Sequence, residues 1–147
     1  TLSLHDALPI CASLLAQLIK VLLNLFIFHR FIAERMWGAG GMPSSHSATV
    51  CAMVVATGRY CGVNSPLFAI AAVLSIIVMY DAMGVRYETG EQAKVLNRMF
   101  TEWMDQGFEQ FQLPHGKKLK EMVGHTPIEV VTGAALGIVL GFAMPMV

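Results

Sequence analysis

Four apolar stretches, separated by polar segments, constrain this chain more than any other feature. They run from about Leu8 to Phe28, from Ser45 to Thr57, from Ser65 to Tyr80 and from Pro127 to Val147. A membrane-spanning helix needs about 20 predominantly apolar residues, with a range of roughly 17–25. The first and last stretches meet that length and the third is close, whereas the second is either a thinner span or one shielded by its neighbours. The pattern predicts a polytopic bundle of transmembrane helices.

The segment from Asp81 to Phe111 differs from these stretches because its apolar residues are spaced three and four apart, with charged residues between them. That periodicity is typical of an amphipathic helix lying on the membrane surface or over the bundle. Pro114 and Gly116 then mark a loop from Gln110 to Lys118. The predicted fold class is therefore all-α, with about four transmembrane helices plus one amphipathic surface helix.

Composition supports a membrane environment and a single domain. The chain has 147 residues, of which 55% are hydrophobic and 14% charged, whereas a soluble domain carries about 25% charged residues. The net charge of zero gives no reason to expect a nucleic-acid partner. Three cysteines without a CxxC spacing argue against a disulfide framework and a zinc site.

The first ten residues, TLSLHDALPI, are interpreted separately from the rest of the chain. They resemble translated sequencing-adapter DNA, and we interpret residues 1–10 as a non-native leader without function. Residues 11–147 are then a single membrane domain.

Chain threading predicts which polar segments share a side of the bilayer. If the first span ends near His29, the second starts on that side and ends near Arg59, the third returns at Asp81, and the fourth leaves from His125. The side that holds His29 then receives nearly all the basic residues, namely Arg30, Arg35, Arg86, Lys94, Arg98, Lys117, Lys118 and Lys120. Basic residues concentrate in cytoplasmic loops. We therefore expect this side to face the cytoplasm, in a bacterial cytoplasmic membrane.

Three polar segments converge on that predicted cytoplasmic face: GGMPSSH (40–46), YDAMGVR (80–86) and KKLKEMVGHTPIEV (117–130). They contain two histidines, His46 and His125, together with carboxylates and several cations. Cations and helix N-terminal amides hold phosphate oxygens, and two histidines can divide the work of nucleophile and acid. The combination favours phosphate chemistry at the membrane boundary.

These segments resemble the divergent branch of the type 2 phosphatidic acid phosphatases, which is related to acid phosphatases and vanadium haloperoxidases. The resemblance rests on GGMPSSHSATV (40–50), SPLFAIAAVLSIIVMYDAMGVR (65–86), EQAKVLN (91–97) and LKEMVGHTPIEVVTGAALGIVLG (119–141), preceded by AQLIK (16–20). It covers nearly everything after residue 12. It implies a membrane phosphatase that needs no metal and no cofactor.

The resemblance also implies roles for individual residues. His125 corresponds to the histidine that attacks phosphorus, Glu129 to the acidic residue that orients it, and His46 of PSSH to the acid that protonates the leaving oxygen. Ser45 stands where the wider superfamily has glycine. The residues expected to hold the phosphate are Lys20, Ser44, Ser45, Asp81, Arg86, Lys118 and Lys120.

Departures from the superfamily pattern leave other functions open. No arginine follows Lys20 at the usual interval, so Arg30 or Arg35 could substitute only if the loop folds back, and no Ser-Arg pair precedes His125. Lysine lacks the bidentate fork with which arginine grips phosphate. A non-enzymatic phosphate-headgroup binder or transporter component is therefore the alternative. Vanadate-dependent oxidation ranks lowest, below a metal site built from His46, Asp81, His125 and Glu129.

Several of these residues also have a purely structural interpretation. Ser44 or Ser45 can cap the second helix, and Thr126 and Glu129 match a capping box with Pro127 at the first helical position. Asp81 and Arg86 are as well placed for an ion pair as for a substrate contact. Lys20 can snorkel to the surface, and Lys118 and Lys120 can be part of the positive-inside signal alone.

The expected partners are the lipid bilayer and a phosphorylated lipid substrate, which would enter the site sideways from the membrane. Four or five helices are fewer than the six typical of the superfamily, which leaves a homodimer open.

Overall fold

The computed structural model describes residues 4–28, 41–106, 118–121 and 123–143, and these residues form helices joined by short connections. The helices are α1 (Leu4–Phe28), α2 (Ser45–Cys61), α3 (Pro66–Met83), α4 (Val85–Asp105) and α5 (Pro127–Ala143). No strand occurs in these ranges. The all-α prediction is confirmed.

Two helix boundaries differ from those expected. α2 continues beyond Thr57 and reaches 17 residues, so it is longer than its apolar run. Asp81 belongs to the end of α3 rather than to the amphipathic helix, because α3 ends only at Gly84, whose N–H donates to the Tyr80 carbonyl (2.8 Å). Arg30, Arg35, Lys117, nearly all of the predicted loop 110–118 and the last residues of the fourth stretch lie outside the described residues.

The outer surface of the bundle is apolar. Ala7–Phe26 and the helical segment that begins at Pro66 are long and apolar enough to cross a membrane, and α5 is a shorter apolar helix. Large apolar side chains project outward from them, including Leu14, Phe26, Ile70, Ile77 and Val139. The chain is a helical membrane protein.

α2 lies at the centre of the bundle and contacts α1, α3 and α5. The buried core between α1 and α2 consists of small residues spaced four apart together with one leucine: Leu8, Ala12, Ala16, Ala48 and Ala52. α5 presents buried glycines at the same spacing, namely Gly133, Gly137 and Gly141. A Cβ on Gly137 would lie 2.2 Å from the Ala48 carbonyl oxygen, so the two backbones are in direct contact. Small residues at this spacing let membrane helices approach closely.

The directions of the helices follow from these contacts. α2 and α5 run parallel, because Gly133 meets Ser44 and Gly141 meets Val55. α1 runs antiparallel to α2, because Gln17 meets Ser45 while Lys20, further along α1, meets Gly41 before α2. α3 also runs antiparallel to α2, because Ser75 lies beside Cys51 while Phe68 meets Gly58. The end of α1, the start of α2, the end of α3 and the start of α5 therefore lie together at one end of the bundle, which we call the histidine end because it holds His46 and His125.

α4 leaves the bundle at the histidine end. Among the described helices it contacts only α3, and its other partner is the described part of segment 118–125, whose residues Leu119, Glu121 and Gly124 lie against it. Its exposed large apolar residues are Val95, Leu96, Met99, Trp103 and Met104. α4 is the predicted amphipathic surface helix.

Candidate active site

The two histidines come from different elements and meet edge to face. His46 is the second residue of α2, and His125 lies two residues before α5. Their ring centroids are 5.9 Å apart with an interplanar angle of 63°. The His125 residue is only 1% exposed, whereas His46 is open to the surroundings. The site therefore combines one buried and one accessible imidazole.

His125 is fixed at its backbone and at one ring nitrogen. Its N–H donates to the Ala82 carbonyl (3.0 Å), which is one of the carbonyls that a helix end leaves without an internal partner. Its Nδ1 lies 3.2 Å from Oε2 of Glu129. Its Nε2 is buried and has no hydrogen-bond partner among the described residues. Buried polar atoms without a partner are uncommon, and functional sites are one place where they occur.

Glu129 serves the helix start and the histidine through the same oxygen. Oε2 accepts from the Thr126 N–H (2.9 Å), which is the capping-box bond, and also faces His125. The Gly41 amide donates to the same carboxylate. The Glu129 backbone carbonyl accepts from the Ser44 N–H (3.0 Å). Glu129 thus connects the start of α5 to the start of α2.

A cavity of about 20 Å³ lies between the histidines and the α3–α4 junction. It is lined by His46, Val78, Asp81, Ala82, Arg86 and His125. That volume suffices for about one water molecule, so a phosphate group enters only if a wall moves. One wall is the ion pair between Arg86 Nε and Asp81 Oδ2 (2.5 Å), whose side chains are 48% and 38% exposed.

Lys20 points into the histidine end rather than to the open surface. It is 2% exposed, and its methylene chain packs against Gly41, whose backbone is left-handed at φ +91°. Its ammonium lies within electrostatic range of Glu129 and His46. A cation placed this way inside a span usually faces a polar interior, as Lys20 does.

The two serines at the start of α2 are buried and do not line the cavity. Ser44 is the N-cap, and its Oγ accepts from the N–H and the hydroxyl of Ser47 (3.3 and 3.1 Å). Ser45 Oγ lies 3.5 Å from Nε2 of Gln17. Capping is therefore the role that the geometry gives Ser44, and phosphate contacts by either serine stay predictions.

Lys118 and Lys120 are exposed on the segment beside α4. Lys118 lines a separate, open groove on α4, and neither lysine lines the cavity between the histidines. The structure therefore brings together His46, His125, Glu129, Lys20, Asp81 and Arg86 and leaves these two lysines apart. Their part in phosphate binding stays a prediction.

Two features of the site were not predicted. The Ala82 carbonyl holds the His125 backbone, and no sequence signal reveals a backbone acceptor. Gln17 reaches Ser45 from inside the first span and leaves its own Oε1 buried without a partner among the described residues. A polar residue three positions before Lys20 in an apolar helix was a usable signal.

The metal alternative gains no support from the geometry. Within residues 4–28, 41–106, 118–121 and 123–143, no group of three or more His, Cys, Asp or Glu side chains is arranged to hold a metal ion. His46, His125 and Glu129 instead form a chain of ring and hydrogen-bond contacts.

The chain is similar to known proteins over most of its length. The sequence profile of the Divergent PAP2 family matches residues 6–140. The chain belongs to this family. It is also similar to "Uncharacterized membrane protein YuiD" of Bacillus subtilis (strain 168), with 39% identity over 137 residues that cover 89% of this chain and 87% of the relative. No solved structure matches. The resemblance inferred from the sequence is confirmed at the level of the family.

Proposed function

We propose that this divergent PAP2 protein is an integral-membrane phosphatase that hydrolyses a lipid phosphate or pyrophosphate through a phosphohistidine intermediate on His125. The observation that carries the proposal is the buried, unpartnered Nε2 of His125, whose ring meets that of His46 at the edge of a cavity. Family membership by itself supports only the fold and not an activity, because the relative that this chain resembles is itself uncharacterised.

The first chemical step uses the three residues that contact one another. With its Nδ1 proton donated to Glu129, neutral His125 has its lone pair on Nε2, the nitrogen without a partner. That lone pair attacks phosphorus and the bond from phosphorus to the leaving oxygen breaks. His46, protonated, donates its proton to that oxygen.

The second step returns the site to its starting state. A water molecule attacks phosphorus, His46 takes up a proton from it, and the bond from phosphorus to His125 Nε2 breaks to release phosphate. The cavity already has the volume of about one water molecule. No metal or cofactor takes part in either step.

Phosphate binding requires the cavity to open. Arg86 can exchange its Asp81 partner for phosphate oxygens, because both anions accept the same guanidinium fork. Lys20 adds positive charge from the α1 side, and the first amides of α2 have no acceptor within their helix. Arg86 thus takes the place of the arginines that the superfamily motifs place elsewhere.

The position of the site supports the proposed substrate class and location. It lies at one end of a bundle whose sides are apolar, so a headgroup can reach it while the acyl or prenyl chain stays in lipid. The distribution of basic residues favours the cytoplasmic side of a bacterial cytoplasmic membrane. A homodimer is compatible with the small number of helices.

The test is phosphate release by the purified full chain in lipid nanodiscs, with polyprenyl and glycerolipid phosphates as substrates. The proposal expects turnover that falls by roughly 10³-fold or more in His125→Ala and by about 10²-fold or more in His46→Ala. His5→Ala, at the start of α1 and therefore at the opposite end of the bundle from the site, is the matched histidine control and should retain full activity. Equal release by the parent and both site variants would sink the proposal.

The second candidate is a non-enzymatic binder of phosphorylated headgroups, or a transporter component. The absence of a Ser-Arg pair before His125 favours it, and the cavity of about 20 Å³ is closed to a phosphate group at rest. Binding of a lipid phosphate that depends on Arg86 and Lys20, without release of phosphate, would identify this function.

A further inference from the structure

A buried asparagine on α4 joins that helix to the segment that leads to His125. Asn97 is 5% exposed. Its Oδ1 accepts from the Leu119 N–H (2.9 Å), and its Nδ2 donates to the Leu119 carbonyl (2.9 Å) and to Glu121 Oε1 (2.8 Å). The side-chain amide therefore pairs with both backbone groups of one residue, which fixes Leu119 along the axis of α4.

Two glycines extend this contact toward the histidine. A Cβ on Gly90 would lie 2.5 Å from the Glu121 carbonyl oxygen, and a Cβ on Gly124 would lie 2.2 Å from the Tyr87 nitrogen. The segment and the helix therefore touch backbone to backbone at two further levels. The next residue is His125, whose N–H is bonded to the end of α3.

This arrangement gives α4 a role that its packing does not otherwise explain. α4 contacts only α3 among the described helices, so it adds little to the core of the bundle. The described residues of the segment 118–125 are not helical, so its polar backbone groups need partners outside it. α4 supplies those partners for Leu119, through Asn97, and thereby sets the register of the segment.

We propose that Asn97 is a positioning residue that fixes the register of segment 118–125, so that His125 Nδ1 meets Glu129 and Nε2 faces the cavity. The catalytic part of this inference rests on the proposed function. Its physical basis is that an error of about 1 Å in the position of a reacting group can lower a rate by about 10²-fold. This positioning role also gives a physical reason for the EQAKVLN stretch (91–97), which ends at Asn97 and is one of the segments that carry the family resemblance.

The first experiment compares Asn97→Ala with Arg98→Gln in the full chain. Arg98 is the next residue of α4, is exposed, and has its Glu102 partner at 4.0 Å, so it is a matched control. Amide hydrogen exchange is measured on peptides covering segment 118–126, together with kcat and KM for a lipid phosphate. Asn97→Ala should speed exchange there by at least about tenfold, because it removes all three hydrogen bonds of the side chain, and lower kcat by up to about 10²-fold with little change in KM.

A rescue experiment separates positioning from general damage. Asn97→Asp sets two carboxylates against each other at Glu121 and removes the donor to the Leu119 carbonyl. Adding Glu121→Gln restores a donor–acceptor pair of reversed polarity between the two side chains. The double variant should recover part of the slow exchange and part of the lost kcat relative to Asn97→Asp, because the side-chain pair is remade while the Leu119 carbonyl still lacks its donor. If the two substitutions are unrelated, the double variant should instead exchange faster and turn over more slowly than Asn97→Asp.

The outcomes separate the two proposals. If the parent releases no phosphate, the hydrolase proposal fails and the exchange data still decide the role of Asn97. Unchanged exchange of segment 118–126 in Asn97→Ala overturns the positioning role whatever the activity. Faster exchange spread equally over α2 and α5 also overturns it, because Asn97 would then support the whole fold. If Asn97→Ala does not fold, the Asn97→Asp variant and its rescue provide the same decision.

Discussion

The two histidines of the site are held by two contacts of opposite character. His46 begins α2, which packs against α5 through small residues over most of its length, with backbone touching backbone at Gly137. His125 follows a segment that lies on α4 and is held there by hydrogen bonds from Asn97 and by close contacts at Gly90 and Gly124. His46 is thus positioned by an apolar helix pair, whereas the segment before His125 is positioned by polar contacts with α4.

The difference teaches how rigid each half of the site is. In a lipid environment, helices associate through close packing of small residues, and a register fixed at every turn cannot slip without separating the pair. A segment held by a few hydrogen bonds at a surface opens locally at lower free energy. We infer that the α2–α5 interface defines a fixed frame and that the segment before His125 is the less rigid of the two supports.

The largest effect is expected in the fixed frame, for Gly137→Val. Its Cβ would meet the Ala48 carbonyl oxygen at 2.2 Å, and neither backbone can yield without parting the helices. We expect a loss of more than about 3 kcal/mol in the free energy of unfolding, measured by denaturant titration in detergent. Ala135→Val, on the exposed side of the same helix, is the control and should change little. A loss below about 1 kcal/mol for Gly137→Val would mean that the frame is not rigid.

A smaller loss of stability but a marked loss of function is expected for Gly124→Ala. The added methyl would lie 2.2 Å from the Tyr87 nitrogen, and the segment can relieve this by lifting off α4. We expect about 1–3 kcal/mol of destabilisation and at least a tenfold fall in phosphate release, because His125 moves with the segment.

Gly58→Ala is the matched control for that change, at the far end of the bundle. Its Cβ would lie 3.0 Å from the Phe68 ring, which can rotate away. It should leave phosphate release unchanged. If Gly124→Ala destabilises the protein as much as Gly137→Val, the contrast between the two contacts is wrong.

The same contrast explains what the sequence predicted. The helices, their order and the shared end of the two histidines follow from apolar length, periodicity and threading, all of which depend on where side chains prefer to be. The α2–α5 frame leaves a trace as well, in the spacing of Gly133, Gly137 and Gly141. Packing driven by residue size repeats along a helix and is therefore visible in the sequence.

The polar contact leaves no comparable trace. The Asn97 side chain bonds to the backbone groups of Leu119, and the His125 N–H donates to the Ala82 carbonyl. Because every residue carries the same backbone carbonyl, the sequence does not reveal which residue will accept such a bond. Lys118 and Lys120 were grouped with the site because they precede His125 closely, yet an extended segment carries them along α4 and away from the cavity. Proximity in sequence predicts proximity in space inside a helix better than along an extended chain.

The smallest effect is expected at two serine N-caps, of which only Ser44 lies where the fixed frame reaches the site. Ser44 caps α2 at the histidine end, and Ser65 caps α3 at the opposite end by accepting from the Phe68 N–H (3.2 Å). Replacing either by alanine should cost about 1 kcal/mol of stability.

Only Ser44→Ala should also weaken binding of inorganic phosphate or vanadate, by about fivefold, the factor that corresponds to about 1 kcal/mol. The reason is that the Ser44 N–H donates to the Glu129 carbonyl, so a loosened cap shifts the first turn of α2 against the carboxylate that orients His125. Equal weakening by Ser65→Ala would show that the caps act on the bundle as a whole, and the frame would then have no privileged connection to the site.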